Sequence, residues 1–271
     1  MKPKIASPNS NGINRTILFE AKQLSKAFGG LTALEGIDLS IETGSIVSLI
    51  GPNGAGKTTF FNCITGLSPP TAGEVYFQGK KLSGLTPHEI AVLGLSRTFQ
   101  GIRLFAGMTV IENVMVSAHC RTQTGLLGAL LRNRKMIQEE RDLISRAMSL
   151  LTFIGLRQKA NAWAGDLSYG EQRRLEIARA LATQPRLLLL DEPAAGMNPR
   201  ETQELMSLIQ QIRNQGITIL LIEHDMKVVM GISDRVVVLD HGVKIADARP
   251  DQVRRDSRVI EAYLGRDDAS A

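Results

Sequence analysis

At 271 residues, with 43% hydrophobic, 22% charged and only 4% aromatic residues, the chain is long enough to bury one sizeable core, or a core plus a smaller subdomain. No stretch reaches the roughly eighteen uninterrupted apolar residues that a membrane helix requires, and Lys2 and Lys4 are followed by no apolar block, so no secretory signal is expected. A net charge of +5 admits an anionic partner, but no Lys/Arg run interleaved with aromatics points to nucleic acid.

Residues 1–15, rich in Ser, Asn, Pro and Lys, read as a loose tail, and residues 266–271 as a C-terminal one. From 16 to 50 the pattern is strand-like. Ile37, Leu39 and Ile41 alternate with polar residues, and a turn at Glu42-Thr43-Gly44 precedes the mostly apolar run 45–50, as in a strand buried on both faces. Residues 73–78 predict another strand. Thr86-Pro87-His88-Glu89 has capping-box spacing with proline at the first helical position, and so predicts a helix start. Between about 97 and 167 strand signals fade. Ile137, Ile144, Met148, Leu151 and Ile154 fall on one helical face that ends near Gly155, which predicts a helical subdomain inserted into an α/β domain. The α/β pattern resumes with 187–190, a helix from 200 to about 214, and strands at 217–222 and 235–239. Strands alternating with helices predict a mainly parallel sheet covered on its faces. Cys63 and Cys120 have neither disulfide-framework nor metal-ligand spacing, and read as two reduced thiols.

Three motifs carry chemistry. Gly51-Pro52-Asn53-Gly54-Ala55-Gly56-Lys57-Thr58 fits G-x-x-x-x-G-K-[ST], directly after a predicted strand and before a predicted helix. Glycines let such a loop wrap so that its amides face phosphate oxygens, and the helix that follows adds its positive end. Lys57 is expected at the terminal phosphates and the Thr58 hydroxyl on Mg²⁺. The apolar run 187–190 ends in Asp191 and Glu192. Asp191 suits a carboxylate in the Mg²⁺ shell, and Glu192, pointing elsewhere, suits a base that polarises water for attack on a phosphate. Leu167-Ser168-Tyr169-Gly170-Glu171-Gln172 places Ser168 and Glu171 at capping-box spacing, so Ser168 opens a helix.

That last motif, roughly twenty residues before the acidic strand end, resembles the signature sequence of ABC-type ATPases, and the resemblance extends over nearly the whole chain from Phe19. It implies an α/β P-loop NTPase of ABC type, with a mainly parallel core sheet, an antiparallel β subdomain and the inserted helical subdomain, in one domain over 16–265. It implies further residues of the ATP site: Phe28 as the aromatic stacked on adenine, Thr59 beside Thr58, Gln100 in Arg97-Thr98-Phe99-Gln100 as a ligand of Mg²⁺ and the attacking water, and His224 in Ile222-Glu223-His224-Asp225 as the switch histidine at the terminal phosphate. Residues 167–172 would cap the ATP of a second, identical or paralogous, ATPase subunit, so that two chains sandwich two nucleotides. Where the family commonly has Ser-Ala-Leu-Asp, this chain has Ala195-Gly196-Met197-Asn198, which puts in question how the segment couples the two ATP sites.

Within the family the chain is most similar to ATP-binding subunits of branched-chain amino-acid importers. The similarity is carried by Arg97-Thr98-Phe99-Gln100, Ile102-Arg103-Leu104-Phe105, Met108-Thr109-Val110-Ile111-Glu112-Asn113, the stretch from Tyr169 to Arg179, Ala194-Ala195-Gly196-Met197-Asn198-Pro199 and Ala262-Tyr263-Leu264-Gly265. It implies two membrane permease subunits and, indirectly, a periplasmic or extracellular solute-binding protein as partners, no nucleic acid, and a place on the cytoplasmic side of the inner membrane, held through the permease. Urea or short-amide importers and lipopolysaccharide exporters share much of the pattern. A soluble ABC ATPase acting on nucleic acid or ribosomes is a rival from another class, and lacks support because this chain has one phosphate loop and no coiled-coil insertion. Residues 126–131, followed by Arg132, Arg134 and Lys135, read as a solvated helical face rather than a membrane-surface element.

Overall fold

A computed structural model describes residues 16–118 and 134–264. The chain opens with a long hairpin of β1 (Ile17–Phe28) and β2 (Leu31–Glu42), followed by β3 (Ile46–Ile50) and helix α1 (Lys57–Ile64). Then come β4 (Ala72–Phe77), β5 (Lys80–Lys81), α2 (Pro87–Leu93) and β6 (Leu95–Arg97). Helices α3 (Val110–Ala118), α4 (Arg134–Phe153) and α5 (Tyr169–Ala182) follow, then β7 (Leu187–Asp191), α6 (Pro199–Asn214), β8 (Thr218–Ile222), α7 (Met226–Ile232), β9 (Arg235–Asp240), β10 (Val243–Ala248), α8 (Pro250–Val253) and α9 (Ser257–Leu264).

The strands form two sheets. An antiparallel sheet has the order β2-β1-β4-β5, and a six-stranded sheet has the order β10-β9-β3-β8-β7-β6. In the second sheet β6, β7, β8, β3 and β9 run parallel, and only the edge strand β10 is antiparallel. β3, β7 and β8 are buried at every residue, as parallel strands covered on both faces must be. One apolar cluster, including Phe60 and Phe61 of α1, fills the space between the two sheets. Another packs α3 to α7 onto the opposite face.

The strands expected at 45–50, 73–78, 187–190, 217–222 and 235–239 lie within a residue or two of those formed, whereas the short β5 and the edge strands β6 and β10 were not expected. The helical region differs in detail. The buried stripe passes through Ala147 and Leu151 of α4 and Ile154 just beyond its end, whereas Ile144 is 40% exposed. Arg97 still belongs to the core sheet, since it pairs with Leu189. Of the apolar-basic stretch at 126–135, only the backbone of Arg134 and Lys135, in the first turn of α4, lies within the described residues. Cys63 is buried, which pushes its thiol up to about 11 and makes it a poor nucleophile; Cys120 lies outside the described residues. No helix among the described residues is long and apolar enough to cross a membrane.

Ionic bonds strap the two sheets together. Arg235 Nη2 and Lys244 Nζ donate to the Asp247 carboxylate at 2.6 and 3.0 Å, while the same two side chains donate to the carbonyls of Ser40 and Asp38 in β2. Burial pushes the Asp247 carboxyl up, but the bonds and charges of Arg235 and Lys244 outweigh it and hold it below the ordinary value. A depressed carboxylate stabilises the folded state above its unfolded value and loses that contribution on acidification. Asp247→Asn is therefore expected to cost about 1 kcal/mol at neutral pH. In chemical denaturation the difference from the wild type should shrink as pH falls below about 4.

Candidate active site

A strand buried on both faces can expose polar side chains only where it ends. The parallel register sets Ile50 opposite Val238, Arg97 opposite Leu189 and Asp191 opposite Ile222, so the carboxyl ends of β3, β6, β7 and β8 lie along one edge of the sheet. The glycine loop leaves β3 there, Gln100 follows β6, Glu192 follows β7 and His224 follows β8. In open parallel sheets this edge is where ligands bind.

The loop is held from outside by close backbone packing. A Cβ on Gly51 would meet the Leu239 carbonyl at 2.0 Å, and one on Gly56, at φ +101°, would meet the Ala33 carbonyl at 2.7 Å. The turn between β9 and β10 braces it as well: the Gly242 amide donates to the Ala55 carbonyl at 3.1 Å and the Glu35 amide to the Gly242 carbonyl at 2.9 Å. Lys57 curls over the loop and donates to the carbonyls of Gly51 and Pro52 at 2.7 and 2.9 Å. Asn53, Gly54 and Thr58 are exposed on the open side of this cradle, Thr59 is half-buried, and Pro52 and Ala55 are buried. Phe28 ends β1 and is 53% exposed, with the Lys26 ammonium 4.8 Å from its ring centre. The hairpin that carries it continues into Ala33 and Leu34, which touch Gly56.

Gln100, Glu192 and His224 converge. Gln100 Nε2 donates to Glu192 Oε2 at 3.0 Å, and His224 Nδ1 lies 3.8 Å from the same oxygen. Glu192 adopts a left-handed φ of 47°, unusual for a non-glycine residue, and its amide is fixed on the Ile222 carbonyl at 2.9 Å. Such strain persists where the surroundings dictate it, and the Glu192 carboxylate meets Gln100 and His224 whereas that of Asp191 meets Arg97. Asp191 is buried beside Arg97, whose Nη2 donates to its Oδ2 at 2.7 Å while Nη1 donates to Asn62 Oδ1 at 2.7 Å. Thr58, Gln100 and Asp191 together offer a hydroxyl, an amide and a carboxylate, the hard oxygen donors that suit Mg²⁺.

Ser168 caps α5, with the Glu171 carboxylate accepting from the Ser168 amide and hydroxyl at 3.0 and 3.1 Å and Gln172 Nε2 donating to the Leu167 carbonyl at 2.9 Å. Leu167 and Gly170 are buried, whereas Ser168 and Tyr169 are exposed. Burial works to raise the Glu171 carboxyl, but the bonds from Lys159 and Ser168 prevail and lower it. Asn198, the departure noted in the sequence, is the N-cap of α6. Its Oδ1 accepts from the Arg200 and Glu201 amides at 3.0 Å each, a task that asparagine performs as well as aspartate.

Two participants were missed in the sequence. Arg173 is fully buried; Nη1 donates to the Phe99 carbonyl and Nη2 to the Gln100 carbonyl, each at 2.9 Å. Its partner Glu176, 2.7 Å away, accepts the Phe99 amide. The signature helix thus grips the segment that carries Gln100. Burial raises the Glu176 carboxyl against the pull of Arg173. The available signal was a pair of opposite charges three residues apart on the helix that Ser168 opens. The second is Glu223, 1% exposed, which accepts the amides of Ala194, His224 and Asp225. Breaking a buried ion pair costs about 3–5 kcal/mol, so Arg173→Met should lower the thermal unfolding midpoint by many degrees in calorimetry, and the added change Glu176→Gln should recover part of the loss.

A phosphate-type glycine loop at the carboxyl edge of a parallel sheet, faced by acidic, amide and imidazole side chains, defines a nucleoside-triphosphatase of the P-loop class. The ABC transporter family matches residues 34–195, and the chain belongs to it, as an ATP-binding cassette ATPase. Residues 243–269 match the branched-chain amino acid ATP-binding cassette transporter family. The chain is 51% identical, over 92% of its length and 98% of the relative, to the high-affinity branched-chain amino acid transport ATP-binding protein LivG of Escherichia coli. It is 48% identical to BraF of Pseudomonas aeruginosa, which carries the same description, over 93% of this chain and 99% of that one. Among solved structures it resembles a nucleotide-free ATP-binding cassette from an ABC transporter (TM-score 0.81, 32% identity, 92% of this chain and 99% of that chain). It also resembles a dimeric cassette in a post-hydrolysis state bound to ADP and phosphate (TM-score 0.73, 27% identity, 86% of this chain and 99% of that chain). The α/β fold expected from the motifs, with its parallel core and antiparallel subdomain sheet, is the fold of these cassettes.

Proposed function

We propose that this chain is the ATP-hydrolysing subunit of an importer for branched-chain amino acids, working as a pair of cassettes on the cytoplasmic side of the inner membrane. The observation that carries the solute is the near full-length identity to LivG and BraF, together with the family match at the C-terminal end.

In this reading the backbone of residues 51–58 and the ammonium of Lys57 bind the phosphates of ATP, Thr59 adds a donor beside them, and Phe28 stacks on the adenine. Thr58, Asp191 and Gln100 hold Mg²⁺, which when bound neutralises phosphate charge. Glu192 accepts the proton of the attacking water, Gln100 orients that water, and His224 donates to the terminal phosphate. Residues 167–172 present the start of α5 to the ATP of the second cassette, so each site is completed only in the dimer. The convergence of Gln100, Glu192 and His224 on one carboxylate oxygen supports the assignment.

The permease is proposed to dock in the groove of about 660 Å³ beside Gln100, lined by Leu67, Ile90, Phe99, Phe105, Val116 and Arg179. Exposed Leu67, Phe105 and Val116 favour an apolar segment of a permease loop, and Phe99, next to Gln100, lines the groove, so that a segment docked there would act on Gln100 through its neighbour. A solute-binding protein would act from the far side of the membrane, and no nucleic acid takes part.

Glu192→Gln should reduce ATP turnover by about a hundredfold or more while nucleotide binding persists and an ATP-dependent dimer can be trapped by crosslinking; wild-type turnover would remove Glu192 from its role. Lys57→Ala should weaken nucleotide binding itself. Val116→Glu should abolish co-purification with the permease and leave ATP binding unchanged. In proteoliposomes holding the whole transporter, binding protein loaded with leucine, isoleucine or valine should stimulate hydrolysis. Stimulation by a urea-loaded binding protein instead would reassign the solute.

A further inference from the structure

β8 is apolar and buried from Ile219 to Ile222, and the next residue is a buried carboxylate. Such a group is tolerated in a core only when its oxygens are fully bonded. Those of Glu223 are divided between two loops. Oε1 accepts the Ala194 amide at 2.8 Å, two residues beyond Glu192. Oε2 accepts the His224 and Asp225 amides at 3.1 and 3.4 Å, in the turn that opens α7. The preceding residue acts on the same loop, because the Ile222 carbonyl accepts the Glu192 amide at 2.9 Å. Ile222 and Glu223 therefore grip the chain on both sides of the Glu192 side chain. The His224 imidazole is 63% exposed, so few neighbours can orient it, and its position is set mainly through its backbone.

We propose that Glu223 is a positioning residue that fixes His224 relative to Glu192 by bridging the loops that carry them. This rests on the reading of Glu192 and His224 given above. One carboxylate, with its two oxygens at a fixed separation, sets the distance between the ends of β7 and β8 more rigidly than two independent bonds would. A neutral amide at this position keeps one acceptor but turns an NH₂ group toward an amide donor, so one loop is released. An aspartate keeps the charge but is one methylene too short to serve both loops.

The test uses the full chain and two variants, Glu223→Gln and Glu223→Asp. A misplacement of reacting groups by an ångström costs about a hundredfold, so kcat for ATP should fall ten- to a hundredfold in Glu223→Gln while KM for ATP stays within about twofold. The chain has 4 histidines, so the imidazole resonance of His224 can be assigned by its loss in His224→Ala, and it should shift in Glu223→Gln and Glu223→Asp without nucleotide. If Glu223→Gln fails to fold, Glu223→Asp carries both readouts. Unchanged turnover together with an unmoved His224 signal would overturn the proposal. So would a fall in kcat with an equal rise in KM and no movement of that signal, which would mark a merely structural group. If His224→Ala itself hydrolyses ATP normally, the reading of the site fails, and the His224 resonance still decides whether Glu223 holds that loop.

Discussion

Five parallel strands in register govern this molecule. Because β3, β7 and β8 are covered on both faces, their interiors admit almost nothing polar, and chemistry is confined to the places where they stop. Register then decides that they stop together. The phosphate loop, Asp191, Glu192, Gln100 and His224 come from segments spread over more than half of the chain, yet they meet because one ladder of backbone hydrogen bonds aligns their strands.

Around that edge lie buried charges of different kinds. Arg97 neutralises Asp191, Arg173 pairs with Glu176, and Glu223 is satisfied by three backbone amides. Replacing such groups with apolar side chains is often neutral or favourable for stability alone. Their value here lies in geometry. Arg173 fixes the segment bearing Gln100 to the signature helix, and Arg97 ties Asp191 to Asn62 in the helix that follows the phosphate loop. These bonds transmit position between elements that would otherwise meet only through deformable apolar contact.

Much of this was legible in the sequence, and what was not has a common cause. The glycine loop, the acidic strand end and the cap of α5 are signalled by residues within a few positions of one another, so spacing alone revealed them. Arg173 and Glu223 were passed over because their partners are distant, Phe99 and Gln100 for one and Ala194 for the other. Ile144 was misplaced because helical periodicity finds an apolar face without saying which neighbour covers it. The hairpin register of β1 and β2 depends on several bulges that alternation cannot reveal. The asparagine at 198 looked like a lost charge and is an N-cap, a role visible only once α6 has a first turn.

The glycine contacts at 51, 56 and 242 have a bearing on how freely this chain can change. The turn at His241 and Gly242 is exposed on one side and looks like a harmless place for an insertion, a tag or sequence drift. On its other side a Cβ at Gly242 would press on the Ala33 carbonyl at 2.8 Å, and Gly56 lies against the same backbone. Tolerance of change on that surface turn is therefore limited by the fit of the phosphate loop, nearly two hundred positions earlier in the chain, and a designer choosing where to splice the protein would find this inconspicuous corner among the least forgiving.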